Sequence, residues 1–296
     1  MHILLAYIKF LLRSTNQHGV HSPFVYNLVT KCFYDKKKYT SYSVLKNYRR
    51  SLLKDKREIK VKDFGAGSRV FKSDKRKVSE IAKTAGISSK RARLLNRLVR
   101  YLEVDSSLEL GTSLGLGTAA MAAGNNVKIT TIEGCPETAA VAKEKFETFG
   151  FDNIQLKVGK FEESLVDGKI QNSKFKIQDS SLTDNRELRT DNSQPIKVNR
   201  QQATGNREST TPNYDLIYID GNHQKEATLS YFEKLLPTVH NDSVMILDDI
   251  HWSKGMEEAW QEIKEHPQVR VTIDTFQWGL VFFRREQEKE HFVIRS

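Results

Sequence analysis

Three carboxylates stand at the ends of two apolar runs. Asp220 closes YDLIYID (214–220), and Asp248 with Asp249 closes SVMILDD (243–249). Runs this apolar fit strands buried on both faces of a parallel sheet. In such a sheet the carboxyl ends of adjacent strands converge on the ligand crevice. Three carboxylates meeting there repel one another unless protons or a cation intervene. Oxygen donors of this kind suit Mg2+ or Ca2+, so Asp220, Asp248 and Asp249 are candidate metal ligands. The alternative is that Asp220 touches a bound cofactor while Asp248 and Asp249 cap the following helix. His223 lies three residues beyond Asp220. A histidine can take a proton from a hydroxyl near neutral pH, which makes His223 a candidate base. Its plainer reading is a surface or cofactor-packing residue. His251 and Trp252 follow the second run, placed either to wall a pocket or to pack in the core.

A second constellation is the glycine loop that opens at Glu109: Gly111, Thr112, Ser113, Gly115 and Gly117 follow in order. It sits between a short apolar strand and an alanine-rich helix. Glycines there let backbone approach a ligand, and the helix start offers free N–H groups. The spacing is G-x-x-x-G-x-G, whereas a dinucleotide loop reads G-x-G-x-x-G. A carboxylate two residues before the first glycine opposes a pyrophosphate and suits a sulfonium with an α-amino group. Glu133 ends the next strand, 24 residues after Glu109. An acid at that place can accept hydrogen bonds from ribose hydroxyls. The loop therefore favours S-adenosylmethionine over a nicotinamide dinucleotide.

Alternating elements must position these groups. Strand candidates are SLEL (107–110), VKITTIE (127–133), NIQLKVG (153–159), the two acid-terminated runs, VRVTIDT (269–275) and GLVFFRR (279–285). Helical stretches separate most of them, which implies an α/β sheet covered on both faces. Residues 1–107 read as mainly helical, with Leu4, Leu5, Ile8, Leu11 and Leu12 at helical spacing. Residues 78–104 read as a short helix, a turn at Gly86 and a longer helix capped by Ser88. HGVHSPF (18–24) is either a lid over the crevice or a plain turn. The stretch 168–213 is polar and almost without aromatics, as expected of a flexible insertion. Asp63, Gly65, Gly67 and Ser68 imitate a cofactor loop, but a charged run follows them where an apolar helix face is needed.

Charge divides the chain. Its 296 residues carry a formal net charge of +10. Residues 1–107 hold 25 Lys and Arg against 8 Asp and Glu, and the remainder is mildly acidic. A basic module on an acidic body suits an anionic partner or simply a solvated surface. Cys32 and Cys135 cannot form a disulfide framework. No apolar run is long enough to span a membrane, and no secretory leader is evident, so a cytoplasmic location is expected.

Residues 108–285 resemble class I S-adenosylmethionine-dependent methyltransferases, and among them the O-methyltransferases related to catechol O-methyltransferase. The resemblance rests on ELGTSLG (109–115), TTIE (130–133), VGKFEE (158–163), YIDGNH (218–223) and LDDIHW (247–252). It implies a Rossmann-like, seven-stranded, mostly parallel sheet with helices on both faces and an antiparallel last strand. It implies further that Glu109 and residues 111–117 cradle the methionine end, that Glu133 binds the ribose, and that Gly159, Lys160 and Phe161 line the adenine pocket. The family holds its metal with one acid and an Asp-Asn pair; this chain has Asp220 and the pair Asp248-Asp249. His223 occupies the offset of the family's catalytic lysine.

The expected organisation is thus a basic helical cap or substrate module (1–107) before a cofactor-binding domain (108–296). The expected activity is methyl transfer to an oxygen of a small acceptor, with Mg2+ as an optional aid. One alternative is methylation of RNA or another anionic macromolecule held by the basic module. Another is a non-catalytic nucleic-acid-binding module, since residues 78–98 loosely resemble a helix-turn-helix. The Asn/Asp-Pro-Pro-aromatic motif of amino methylation is missing, because the chain reads Asp-Gly-Asn-His at 220–223. A homodimer is compatible with the sequence.

Overall fold

The computed structural model describes residues 2–62, 73–166, 169–170 and 212–295. The imitation loop at 63–68 and nearly all of the 168–213 stretch lie outside the described residues. The first hundred residues form α1 (His2–Arg13), α2 (Pro23–Leu28), α3 (Ser41–Lys54), a ribbon of β1 (Glu58–Lys60) and β2 (Lys75–Lys77), α4 (Val78–Thr84) and α5 (Ser89–Tyr101). A π-turn, Val29–Phe33, prolongs α2. Ser88 caps α5 by accepting a hydrogen bond from the Arg91 amide, and Gly86 makes the turn at φ +130°.

Strand and helix then alternate: β3 (Ser106–Leu110), α6 (Leu116–Ala122), β4 (Lys128–Glu133), α7 (Pro136–Thr148), β5 (Ile154–Val158) and α8 (Phe161–Ser164). A two-residue ribbon follows, β6 (Leu165–Val166) with β7 (Lys169–Ile170). The chain continues as β8 (Leu216–Ile219), α9 (Lys225–Leu235), β9 (Val244–Asp248), α10 (Lys254–Glu265), β10 (Val271–Asp274), β11 (Trp278–Phe282) and β12 (Glu290–Val293). The main sheet runs in the order β12-β10-β11-β9-β8-β3-β4-β5. Only β11 is antiparallel to its neighbours, β9 and β10. The expected seven strands are all present. The eighth, β12, adds parallel to β10 at the edge. EHFV alternates weakly and is part-exposed, so it carries little strand signal.

The sheet is covered on both faces. One face packs against α9 and α10 through Tyr231, Phe232, Trp260 and Ile263. The other packs against α6 and α7, and the helices of the front region join the same core. Leu28, Tyr48, Leu52, Leu95 and Leu98 share it with Met121, Phe146, Tyr218 and Trp278. Beside β3, the chain passes outward to β4 and β5 and then returns to β8 on the other side. That reversal of winding opens a crevice at the carboxyl edge between β3 and β8.

Asn96 joins the front helices to the sheet domain. Its buried amide donates to the carbonyls of Ala120 (2.9 Å) and Ala123 (2.7 Å) at the end of α6. Its oxygen accepts from Ser41 on α3 at 2.8 Å. Asn96→Ala strands these buried groups, and each stranded group costs about 1–3 kcal/mol. Urea unfolding is expected to show a loss of about 2–4 kcal/mol with an unchanged slope.

Candidate cofactor and acceptor site

The glycine loop folds tightly because its glycines meet protein. The Gly111 and Thr112 amides donate to the Ile132 carbonyl at 3.0 and 3.3 Å. Gly111 has φ +103°, and a Cβ there would collide with the Asp220 carbonyl. Gly115, left-handed at φ +76°, caps α6, and a Cβ would lie 2.5 Å from both Tyr48 and Phe146. Tyr48 also donates to the Leu114 carbonyl at 2.9 Å. A Cβ on Gly117 would fall 2.5 Å from Glu109 Oε1. The glycines therefore seat the loop on β8, α3 and the buried Glu109.

Glu109 lies beneath that loop, only 1% exposed. Its Oε2 accepts from the hydroxyls of Thr118 and Thr131, the latter at 2.6 Å. Thr131 in turn lies 2.5 Å from the Thr112 hydroxyl. Glu109 Oε1 has no partner although it is buried. Burial pushes its pKa up to about 7, against the two threonine hydrogen bonds.

Glu133 ends β4 at the open side of the loop. Its carboxylate accepts from the backbone amides of Ser113 (2.7 Å) and Cys135 (2.8 Å). Ser113 reaches this position at φ +47°. The Gly159 amide donates to the Glu133 carbonyl at 2.9 Å, which brings the end of β5 alongside. Lys160 turns outward to pair with Glu163 at 3.4 Å. Phe161 crosses toward β8, where a Cβ on Gly221 would lie 2.8 Å from its ring. Phe161 packs edge-on against Tyr231, at 5.6 Å between centroids. Tyr231 is held by Glu162 and by Asn222, the latter at 3.0 Å. The loop residues 111–117, Glu133, Gly159, Phe161 and Asp220 thus meet along one crevice. Among the predicted cofactor residues, Glu109 is sealed below it and Lys160 points away.

The acidic strand ends also meet, but around a cation supplied by the protein. Arg91 of α5 places Nη1 2.7 Å from Asp248 Oδ1, 157 residues away in sequence. Asp248 Oδ1 also accepts from the Asp249 amide at 3.0 Å. The Tyr218 hydroxyl lies 3.2 Å from Asp220 Oδ2 and 3.3 Å from Asp248 Oδ2. The guanidinium stands 5.8 Å from the Trp278 ring. Burial, and then the Asp249 charge, push the Asp220 pKa up to about 6. Burial and the Asp220 charge raise that of Asp248 further, against the pull of Arg91.

Asp220, Asp248 and Asp249 converge at the strand ends, with Asp248 paired to Arg91 and the Tyr218 hydroxyl standing between Asp248 and Asp220. Among the described residues no group of three or more His, Cys, Asp or Glu is arranged to hold a metal ion. Arg91 supplies a countercharge to these acids. Helix capping after β9 falls to Ser253, which accepts from the Met256 amide, and not to Asp248 or Asp249.

His223 stays at the crevice, with Nε2 3.9 Å from Asp220 Oδ1 and its ring 6.4 Å from that of Trp252. It and Asn222 both have positive φ, so the turn after β8 is a strained one. His251 has a different task. Its two ring nitrogens meet Glu257 (2.8 Å) and Asp274 (2.9 Å). Burial opposes its charge, yet these carboxylates outweigh that and raise its pKa. A ring engaged on both sides is a clamp between α10 and β10 and has no free nitrogen for a substrate proton.

Two chemically central residues, Arg91 and Tyr218, carry no local sequence signal. Tyr218 reads as one more apolar strand residue. Arg91 is one of 25 basic residues in the front region; the need of three converging acids for a countercharge was the only pointer to it.

Known proteins place this arrangement in a class. Residues 108–250 match the family model of the methyltransferase domain. The fold is shared with SAH-bound Podospora anserina methyltransferase PaMTH1, at 13% identity and a TM-score of 0.53, over 90% of this chain and 97% of that one. The Bacillus cereus O-methyltransferase in complex with SAH is 15% identical, with a TM-score of 0.48 over 83% of this chain and 91% of its own. Streptomyces achromogenes O-methyltransferase TomG with SAM is 14% identical, at 0.49 over 84% and 91%. No curated protein sequence matches the chain. Residues 108–250 thus match a methyltransferase domain, and the chain has a Rossmann-like fold.

Two measurements test this electrostatic picture. Arg91→Met leaves the buried Asp248 without its partner, which typically costs about 3–5 kcal/mol. The deficit should narrow as pH falls, since protonation removes the stranded charge. For Glu109, a folded pKa raised from 4.5 to about 7 means that the wild type loses stability as pH rises between those values. Relative to Glu109→Gln, thermal unfolding should show that loss reach about 3 kcal/mol and level off above pH 7.

Proposed function

We propose that the protein transfers a methyl group from S-adenosylmethionine to an oxygen of a small acceptor, without help from a divalent cation. The observation that carries this reading is the crevice in which Ser113, Glu133, Gly159 and Phe161 converge beside Asp220. Glu133 stands where it can accept hydrogen bonds from ribose hydroxyls while its backbone contacts fix its position. Phe161 offers a flat apolar wall to a base. The donor supplies an electrophilic methyl, so the acceptor oxygen forms a C–O bond as the C–S bond breaks and a neutral thioether leaves. The protein's part is to align the two reactants and to accept the hydroxyl proton. His223 takes that proton at Nε2, and Asp220 stands by to pair with the imidazolium.

Support for a metal-free reaction is the Arg91–Asp248 pair, which already compensates the acidic strand ends. Methylation of an anionic macromolecule is the second reading, because the front region holds 25 basic against 8 acidic residues. Several of those cations have internal partners: Arg57 pairs with Asp55 and Glu144, and Arg91 with Asp248. Helix α5 buries Ala92, Leu94, Leu95, Leu98 and Val99. That face packs into the core and Arg91 turns inward to Asp248, which favours a structural role for α5 over a nucleic-acid-binding one. No helix among the described residues is long and apolar enough to cross a membrane.

Calorimetry with S-adenosylhomocysteine should show binding, weakened about ten-fold or more by Glu133→Ala. His223→Ala should leave that affinity unchanged and lower turnover about 10²- to 10⁴-fold. Turnover should be indifferent to EDTA and to added Mg2+. No binding of the spent donor ends the reading, and activity that vanishes in EDTA ends its metal-free part.

A further inference from the structure

A cavity of about 750 Å³ opens on the other side of Arg91, between α1, α5 and the 275–277 turn. That size suits a small molecule. Its apolar wall is an aromatic trio. Phe276 meets Tyr7 edge-on at 4.9 Å and Phe10 at 5.5 Å. Phe276 is held there under strain, at φ +75°, which a bulky residue rarely adopts. Two contacts keep it in place: its amide donates to Asp274 at 2.7 Å, and its ring stacks on His251 at 5.2 Å. His251 is therefore a positioning residue for this wall.

The opposite wall is cationic. Arg91, Arg97 and Arg295 line the cavity, as does Lys90, and no Asp or Glu is among the lining residues described. Among the described residues Arg97 donates to neutral oxygens, the carbonyls of Cys32 (2.7 Å) and Phe33 (3.1 Å) and the Tyr42 hydroxyl (3.0 Å). Arg295 likewise contacts the Leu11 carbonyl and the Ser14 hydroxyl. Arg91 spends one Nη on Asp248, and its Nε is buried without a partner. Arg91 faces the acids of the strand ends, while Arg97 and Arg295 stand beside the aromatic wall with only neutral oxygens as described partners. That pairing of surfaces complements an amphiphilic anion, with an apolar body and a carboxylate or phosphate head.

We propose that this cavity binds an amphiphilic anion and that Arg97 and Arg295 select its head group. Arg91 links the two regions, since the same side chain borders the cavity and holds Asp248 at the crevice.

The test is calorimetry on the full chain with dodecanoate, dodecyl phosphate and cinnamate, each beside an uncharged counterpart: dodecanol or methyl cinnamate. At least one anion should bind about ten-fold more tightly than its counterpart. Arg295→Gln, at an exposed position, should remove most of that preference, and Tyr7→Ala should weaken charged and uncharged ligands alike. The relative strength of the carboxylate and phosphate arms identifies the head group. Equal binding of charged and neutral members, no binding by any anion, or a preference untouched by Arg295→Gln overturns the proposal. S-adenosylhomocysteine is titrated into the same samples. If it binds while no anion does, the cavity proposal alone fails. If the anions bind and it does not, the donor reading alone fails.

Discussion

The ion pair between Arg91 and Asp248 is the constraint around which the rest of the site is arranged. Parallel strands ending in carboxylates bring like charges together in a place that water reaches poorly. Burying either partner alone is costly, and the pair persists because each satisfies the other. Tyr218 completes the arrangement by standing between Asp220 and Asp248. Burial raises the pKa values of Asp220 and Asp248 against the pull of Arg91, and hydrogen bonds orient both side chains. A methyl transfer needs alignment and a destination for one proton, and such a cluster can provide both.

The same pair explains why the helical front region and the sheet cannot be treated separately. Arg91 comes from α5, Tyr48 from α3 supports the glycine loop through Leu114, and Asn96 holds the far end of α6. Two helices from the basic region, α3 and α5, therefore set the shape of the donor loop, the charge at the strand ends and one wall of the adjoining cavity. A sequence boundary near residue 107 marks a change in composition and periodicity, while the hydrophobic core runs across it without interruption.

What could be read in advance follows from how local each signal is. The glycine loop, Glu133 and the acid-terminated runs are short-range patterns, and they identified the strands and the crevice. The burial of Glu109 was not legible, because the same Glu-x-Gly spacing serves a carboxylate facing a ligand or one facing inward. The partner of Asp248 was not legible for a related reason. Spacing shows that carboxylates converge but not what neutralises them, and the neutralising group came from a helix 157 residues distant. His251 was ambiguous until both of its carboxylate partners were seen. Strand β12 was missed because an edge strand has little apolar surface to declare itself.

One further contact ties α1 to the edge of the sheet. The Thr15 amide donates to the Val293 carbonyl at 2.8 Å, and the Arg295 amide donates back to the Thr15 carbonyl at 3.1 Å. Arg295 also reaches the Leu11 carbonyl near the end of α1. Thr15 thus extends the sheet edge by one bridge to Ile294, so that α1 and β12 must loosen together.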